Sequence, residues 1–187
     1  GRFCYDHAHE IFSLFNGAKD VQIEYGANPQ LCHVIPNGVA VDRLEKAYLN
    51  RPKEKNNVIT LIGRVVAIKD IKTFLRAIRI TSLEVPDVEG WIVGPTDEDE
   101  EYYQECLDMV ESFNLSKHIK FLGFQNIMDI LPQSRLQTLT SISEGMPLVI
   151  LEGFAAGVPC VATDVGSCKE LLYGALSTAD IKIGKAG

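Results

Sequence analysis

The sequence predicts an α/β protein: a Rossmann-like parallel sheet with helices on both faces. Three observations point there. Short runs rich in apolar residues recur at residues 58–62, 91–93, 119–122, 136–140 and 158–163, each of strand length. Segments with helical spacing of apolar residues separate them. Each run ends in glycine or small polar residues: Gly63, Gly94, Gly123, the turn 141–145, and Asp164-Val165-Gly166. Runs of this kind suit strands covered on both faces, as parallel sheets are.

Residues 1–35 read as one or two helices followed by a short strand. Ile11, Leu14, Phe15 and Ala18 fall at helical spacing, and residues 31–35 form a brief extended apolar run. Pro36-Asn37-Gly38 is a turn signal. Residues 42–57 are polar and charge-rich, with Arg51-Pro52 and Asn56-Asn57, which suits a linker. The expected partition is therefore residues 1–41 as the tail of one domain, 42–57 as a linker and 58–187 as a second domain.

Past the linker the spacing predicts helices over 71–80, from about 97 to 113, over 127–131, from Pro147 to Gly157, and over 169–172. In the first of these Ile71, Phe74, Leu75 and Ile78 share a face. A last apolar stretch around 181–183 reads as a further strand.

Composition narrows the function. The chain has 187 residues, 46% of them hydrophobic and 23% charged, enough to bury a core. A net charge of −7 argues against a nucleic-acid partner or a membrane-surface module. No apolar run approaches the roughly 20 residues of a membrane span. The first residues, GRFCYDHAHE, are no signal peptide. Five cysteines without a C-x-x-C pair read as reduced thiols of a cytoplasmic protein. Gly1 and the final strand-like run suggest a piece of a longer polypeptide.

In an open parallel sheet, ligands bind beyond the carboxyl ends of the strands, where strand order reverses. The helix expected at Pro147 begins there. Its first-turn N–H groups, including those of Leu148 and Val149, together with its dipole, would receive a phosphate. Glu152 lies one turn further in and is the only charge on an otherwise apolar helix. A vicinal diol such as that of ribose would give it two charge-assisted hydrogen bonds, while a structural ion pair or cap would serve equally on chemistry alone. Glu144 precedes the helix at the mouth of the same cleft, suited to a sugar hydroxyl or merely to the helix dipole. Arg64, after Gly63, and Lys69 could clamp a diphosphate, or could be solvated loop cations. The stretch from Gly63 lacks G-x-G-x-x-G and is no Walker loop, which argues against NAD. His7-x-His9 has no acidic or thiol neighbours to complete a metal site.

Taken together these residues resemble the retaining family-4 glycosyltransferases, which have the two-domain GT-B fold. Glu144 and Glu152 have that family's E-x7-E form, with Gly145, Met146 and Pro147 between them. Gly63-Arg64 with Lys69, the segment Glu152-Gly153-Phe154-Ala155-Ala156-Gly157-Val158-Pro159, and Ala162-Thr163-Asp164-Val165-Gly166 agree. Gly94-Pro95-Thr96-Asp97, Ser141-Ile142-Ser143-Glu144-Gly145 and Gly166-Ser167-Cys168-Lys169-Glu170 resemble the bacterial subgroup that makes the Pel exopolysaccharide.

The resemblance implies one half of a GT-B fold, the donor-binding domain. Gly63, Arg64, Lys69, Glu144, Gly145, Met146, Pro147, Leu148, Val149 and Glu152 would hold a nucleotide-sugar donor. Arg64 and Lys69 would take the diphosphate, Glu152 the ribose and Glu144 the transferred hexose. It further implies a UDP-hexose such as UDP-glucose as donor and no metal or other cofactor. A carbohydrate acceptor would be held by a domain preceding this chain, and the whole protein could associate with membrane polysaccharide-export machinery. The fragment alone would bind donor at best weakly and transfer nothing. Arg135-Leu136-Gln137 departs from the family's apolar strand start, so that strand is expected to be shortened or altered. Two other classes compete: a nucleotide-sugar epimerase, which shares GT-B architecture, and a non-catalytic nucleotide-binding module.

Overall fold

The computed structural model describes residues 2–53 and 56–174. The chain opens with α1 (Arg2–Asp6), β1 (Ile11–Ser13) and α2 (Asn16–Glu24), then reaches β2 (Cys32–Val34) through a 3-10 turn at Pro29–Leu31. Strands β1 and β2 pair in parallel, Ile11 opposite Cys32. This corrects the expected helix through Ile11 and Leu14. Alternating burial of Ile11, Phe12 and Ser13 satisfies a three-residue strand, and helical spacing over so few residues cannot distinguish the two.

The segment expected as a linker carries a helix, α3 (Val41–Leu49). Its apolar stripe is only Leu44 and Ala47, both buried among Leu131, Ala156 and Val158. Charged residues on the other faces gave it a linker's composition. No side chain caps its start at Ala40.

From there strands and helices alternate: β3 (Val58–Ile62), α4 (Ile71–Glu84), β4 (Glu89–Val93), α5 (Glu100–Ser112), β5 (Ile119–Gly123), α6 (Ile127–Ile130), β6 (Leu136–Leu139), α7 (Leu148–Ala155), β7 (Cys160–Ala162) and α8 (Cys168–Tyr173). The five strands β3 to β7 form one parallel sheet in the order β5-β4-β3-β6-β7. The chain builds outward from β3 to β5, then returns to place β6 beside β3. Strand order therefore reverses between β3 and β6, so this junction is the sheet's switch point. The strand expected near 181–183 lies outside the described residues.

Both faces are covered, as the sequence predicts. Leu61 joins Phe74, Leu75 and Ile78 of α4 and Tyr102, Cys106 and Val110 of α5 in the larger core. Its neighbour Ile62 packs into the opposite cluster with α3 and α6. Helix α4 is held at its start by Asp70, which accepts from Thr73 N at 3.2 Å and from Thr73 Oγ1 at 2.6 Å.

Strand β6 keeps its place despite its polar start. Gln137 is fully buried in mid-strand, and its Nε2 donates to Val149 O of α7 at 2.9 Å. Room for the amide comes from Gly153: a Cβ there would lie 2.1 Å from Gln137 Oε1. The glycine in α7 is thus a packing requirement, worth more than its modest helix-propensity penalty.

Candidate functional site

Parallel strands put all five glycine-bearing or small-residue ends on one edge. At the end of β4, Gly94 (φ 153°) lies so close to β3 that an added Cβ would sit 2.1 Å from Gly63 O. Val65 N then donates to Pro95 O at 2.9 Å, carrying the chain out of β3 toward Arg64 and Lys69.

At the switch point Lys69 and Glu144 meet. Lys69 Nζ lies 2.5 Å from Glu144 Oε1, and the side chains are 19% and 12% exposed. Ser141 Oγ donates to the same carboxylate oxygen at 2.6 Å. The loop carrying Glu144 is braced from both neighbouring strand ends. Thr140 Oγ1 donates to Lys69 O and Asp70 O at 2.9 Å each, and Ile142 N to Ile68 O at 2.9 Å. From the β7 side Thr163 Oγ1 donates to Ser141 O at 2.7 Å, and Ser167 N to Gly145 O at 2.9 Å.

Asn37 closes the loop from a third direction. Its backbone N–H points at Met146 Sδ (3.1 Å), and its side-chain amide donates to Met146 O (3.1 Å). The sequence marks Pro36-Asn37-Gly38 as a turn, but its partner 109 residues away leaves no local signal. Held this way, the loop stays extended through Pro147 (φ −72°, ψ 114°), and α7 begins at Leu148. Pro147 is therefore the cap residue, where the sequence places it at the first helical position. Among the described residues, the N–H groups of Leu148 and Val149 have no acceptor, so they remain available to an anion.

Glu152 faces a cleft of about 210 Å³ lined by Leu148, Ile127, Arg43 and the stretch Gly38, Val39 and Ala40. The helix is less buried than its composition predicts: Ile150 and Gly153 are buried, whereas Leu148 is 44% exposed. Burial raises the Glu152 carboxyl above its ordinary value of 4.5, and the Arg43 guanidinium opposes that rise. The Glu152 carboxylate makes no hydrogen bond or ion pair among the described residues. A half-buried carboxylate lacking a partner disfavours the folded state once it ionises. Its folded form holds the proton more tightly than the unfolded chain does. The stability it contributes is present below pH 4.5 and lost as pH rises through its raised value. Glu152→Gln is accordingly expected to raise the melting temperature of the unliganded chain at pH 7, with the difference closing below about pH 4, as thermal melts across that range would show.

Arg64 sits apart from this pair. Its Nη1 reaches Glu98 Oε2 at 2.6 Å, with both side chains about half exposed. The acidic run expected to begin a helix thus divides its labour: Asp99 caps α5 through Tyr102 N at 3.0 Å, and Glu98 holds Arg64. A larger recess, about 600 Å³, opens at the opposite end of the sheet by Asn50, Asn56, Asp129 and Gln133. Its described lining offers no cation to an anionic ligand. Cys160, pushed up to about 12 by burial, and Cys106, up to about 11, are packing thiols.

Fold and site define a class: an open parallel α/β sheet that gathers a cation and an acid at its switch point, with a free helix start beyond them and a second acid one turn into that helix. The chain belongs to the family described as glycosyl transferases group 1, whose model matches residues 43–174. It is 32% identical over 169 residues to the Escherichia coli UDP-Gal:alpha-D-GlcNAc-diphosphoundecaprenol alpha-1,3-galactosyltransferase, covering 83% of this chain and 42% of that protein. Over 165 residues it is 28% identical to the Bacillus anthracis N-acetyl-alpha-D-glucosaminyl L-malate synthase, covering 88% and 41%. The chain thus spans about two fifths of the length of these relatives. Among solved structures it resembles Anabaena Alr3699/HepE in complex with UDP, with a TM-score of 0.73 at 24% identity over 87% of this chain and 47% of that one. A Rickettsia africae glycosyltransferase superposes with a TM-score of 0.74 at 19% identity, covering 86% and 46%. These likenesses show the fold, the α/β architecture of GT-B glycosyltransferases. No helix among the described residues is long and apolar enough to cross a membrane.

Proposed function

We propose that this chain is the donor-binding part of a retaining hexosyltransferase that uses a nucleotide diphosphate sugar, a UDP-hexose, to build a bacterial exopolysaccharide or glycoconjugate. The observation that carries the proposal is the meeting of Lys69, Glu144 and the open N-terminus of α7 at the switch point. The E. coli relative is named for UDP-Gal, and the Anabaena structures hold UDP and UDP-glucose, which supports a uridine donor here.

In this proposal the diphosphate lies against the N–H groups of Leu148 and Val149, with Lys69 and Arg64 supplying positive charge in place of a metal. Charge developing on the leaving diphosphate is then met by groups already in place, the most effective form of electrostatic catalysis. Glu152 accepts from the ribose hydroxyls, which relieves its unpartnered state. Glu144 accepts from a hydroxyl of the hexose. Residues 1–41 belong to the tail of an acceptor-side domain, with residues 42–57 joining it to the donor domain.

The test is a calorimetric titration of UDP-, GDP- and ADP-sugars into the chain. A UDP-hexose should bind most tightly. Glu152→Ala should weaken it by about thirtyfold and Arg64→Ala by about tenfold, the scale of losing charged hydrogen bonds. Unchanged affinity in both variants would place the ligand elsewhere.

A further inference from the structure

Glu144 is held by two donors on one oxygen while its other oxygen is left without a partner among the described residues. Lys69 Nζ and Ser141 Oγ both reach Oε1, at 2.5 and 2.6 Å. An ionised carboxylate only accepts, so the serine hydroxyl must donate to it. The two donors differ in kind. Lysine is a mobile point charge on a flexible stem, which a diphosphate can draw away. Ser141 is 1% exposed at the end of β6. Its carbonyl accepts from Thr163 Oγ1, and the next residue's N–H is bound to Ile68 O at 2.9 Å, so its backbone cannot follow the ligand and the hydroxyl stays within reach of Glu144.

The geometry points to Ser141 as a positioning residue for Glu144: it keeps Oε1 fixed when Lys69 transfers to the diphosphate, leaving Oε2 directed at the sugar. This rests on the donor-binding proposal above and adds a residue and an order of events to it. Lys69 neutralises Glu144 wherever no diphosphate competes for its ammonium. The arriving diphosphate takes the ammonium, and the freed carboxylate, still anchored by Ser141, then engages the hexose.

The experiment compares UDP with UDP-glucose and UDP-galactose on the wild-type chain, Ser141→Ala, Glu144→Gln and the double variant. Ser141→Ala should leave UDP affinity within about twofold, because the hydroxyl does not touch the diphosphate. It should weaken the better UDP-hexose by about fivefold or more relative to UDP. In the Glu144→Gln background the serine change should leave that ratio unaltered. UDP and UDP-hexose weakening in parallel would mean a merely structural serine and would overturn the assignment, as would no change in the ratio. Wild-type binding of UDP but of neither hexose would also overturn it. Failure of the wild type to bind any nucleotide or nucleotide sugar would instead reject the donor reading itself.

Discussion

Gly166→Ala is expected to cost the chain about 3 kcal/mol of stability and to displace the loop carrying Glu144. Gly166 has φ 56°, and an added Cβ would lie 2.2 Å from Glu144 O and 2.4 Å from Gly145 O. Left-handed backbone with a Cβ costs about 1 to 2 kcal/mol. Overlap with a backbone that is itself bonded adds about 1 to 3 kcal/mol. The contacted atoms are carbonyls that cannot swing aside, since Gly145 O already accepts from Ser167 N. Whatever relaxes must move Glu144. A paired control separates the two terms. Gly123 also has positive φ, 63°, but nothing lies within 4 Å of its added Cβ. Gly123→Ala should therefore lose only the conformational part, about 1 kcal/mol. Urea unfolding of both variants checks this, and equal losses would remove steric support of the loop from the account.

Lys69→Met is expected to act twice. It removes a cation from the proposed diphosphate site, weakening UDP by about thirty- to hundredfold. It also leaves Glu144 with the Ser141 hydroxyl alone in a site where its side chain is 12% exposed, at a stability cost of about 2 kcal/mol. Fully buried pairs lose about 3 to 5 kcal/mol when broken, and partial exposure tempers that. Neutralising the acid as well should recover much of the stability but none of the affinity. Lys69→Met with Glu144→Gln, assayed by melting and by UDP titration, thus separates the fold's use of the lysine from the ligand's.

The main sheet was legible because its strands are buried on both faces, so runs such as Val58–Ile62 stand out without any periodicity test. The candidate binding edge was legible from glycines whose need is steric, Gly94 against Gly63 being the clearest. Other features depended on partners far along the chain. Helix α3 shows only Leu44 and Ala47 to the core, too little apolar character to distinguish it from a linker. Strand β1 is three residues long, and β2 supplies its register. Gln137 reads as a polar interruption at the start of β6, and the missing Cβ of Gly153 gives its side chain room while Nε2 bonds to Val149 O. Asn37, Ser141 and Arg43 are ordinary residues in sequence. Their contribution arises from Met146, Glu144 and the Glu152 cleft, which the fold alone brings to them.

The central claim is that the nucleotide diphosphate sits at the switch point between β3 and β6. The direct measurement is an amide nitrogen–proton correlation spectrum of the chain titrated with UDP. The largest shifts should fall on Leu148 and Val149, on Gly63 and Arg64, and on the loop around Glu144. Shifts confined to the opposite edge, around Asn56, Arg135 and Leu136, or no shifts at saturating UDP, would contradict it.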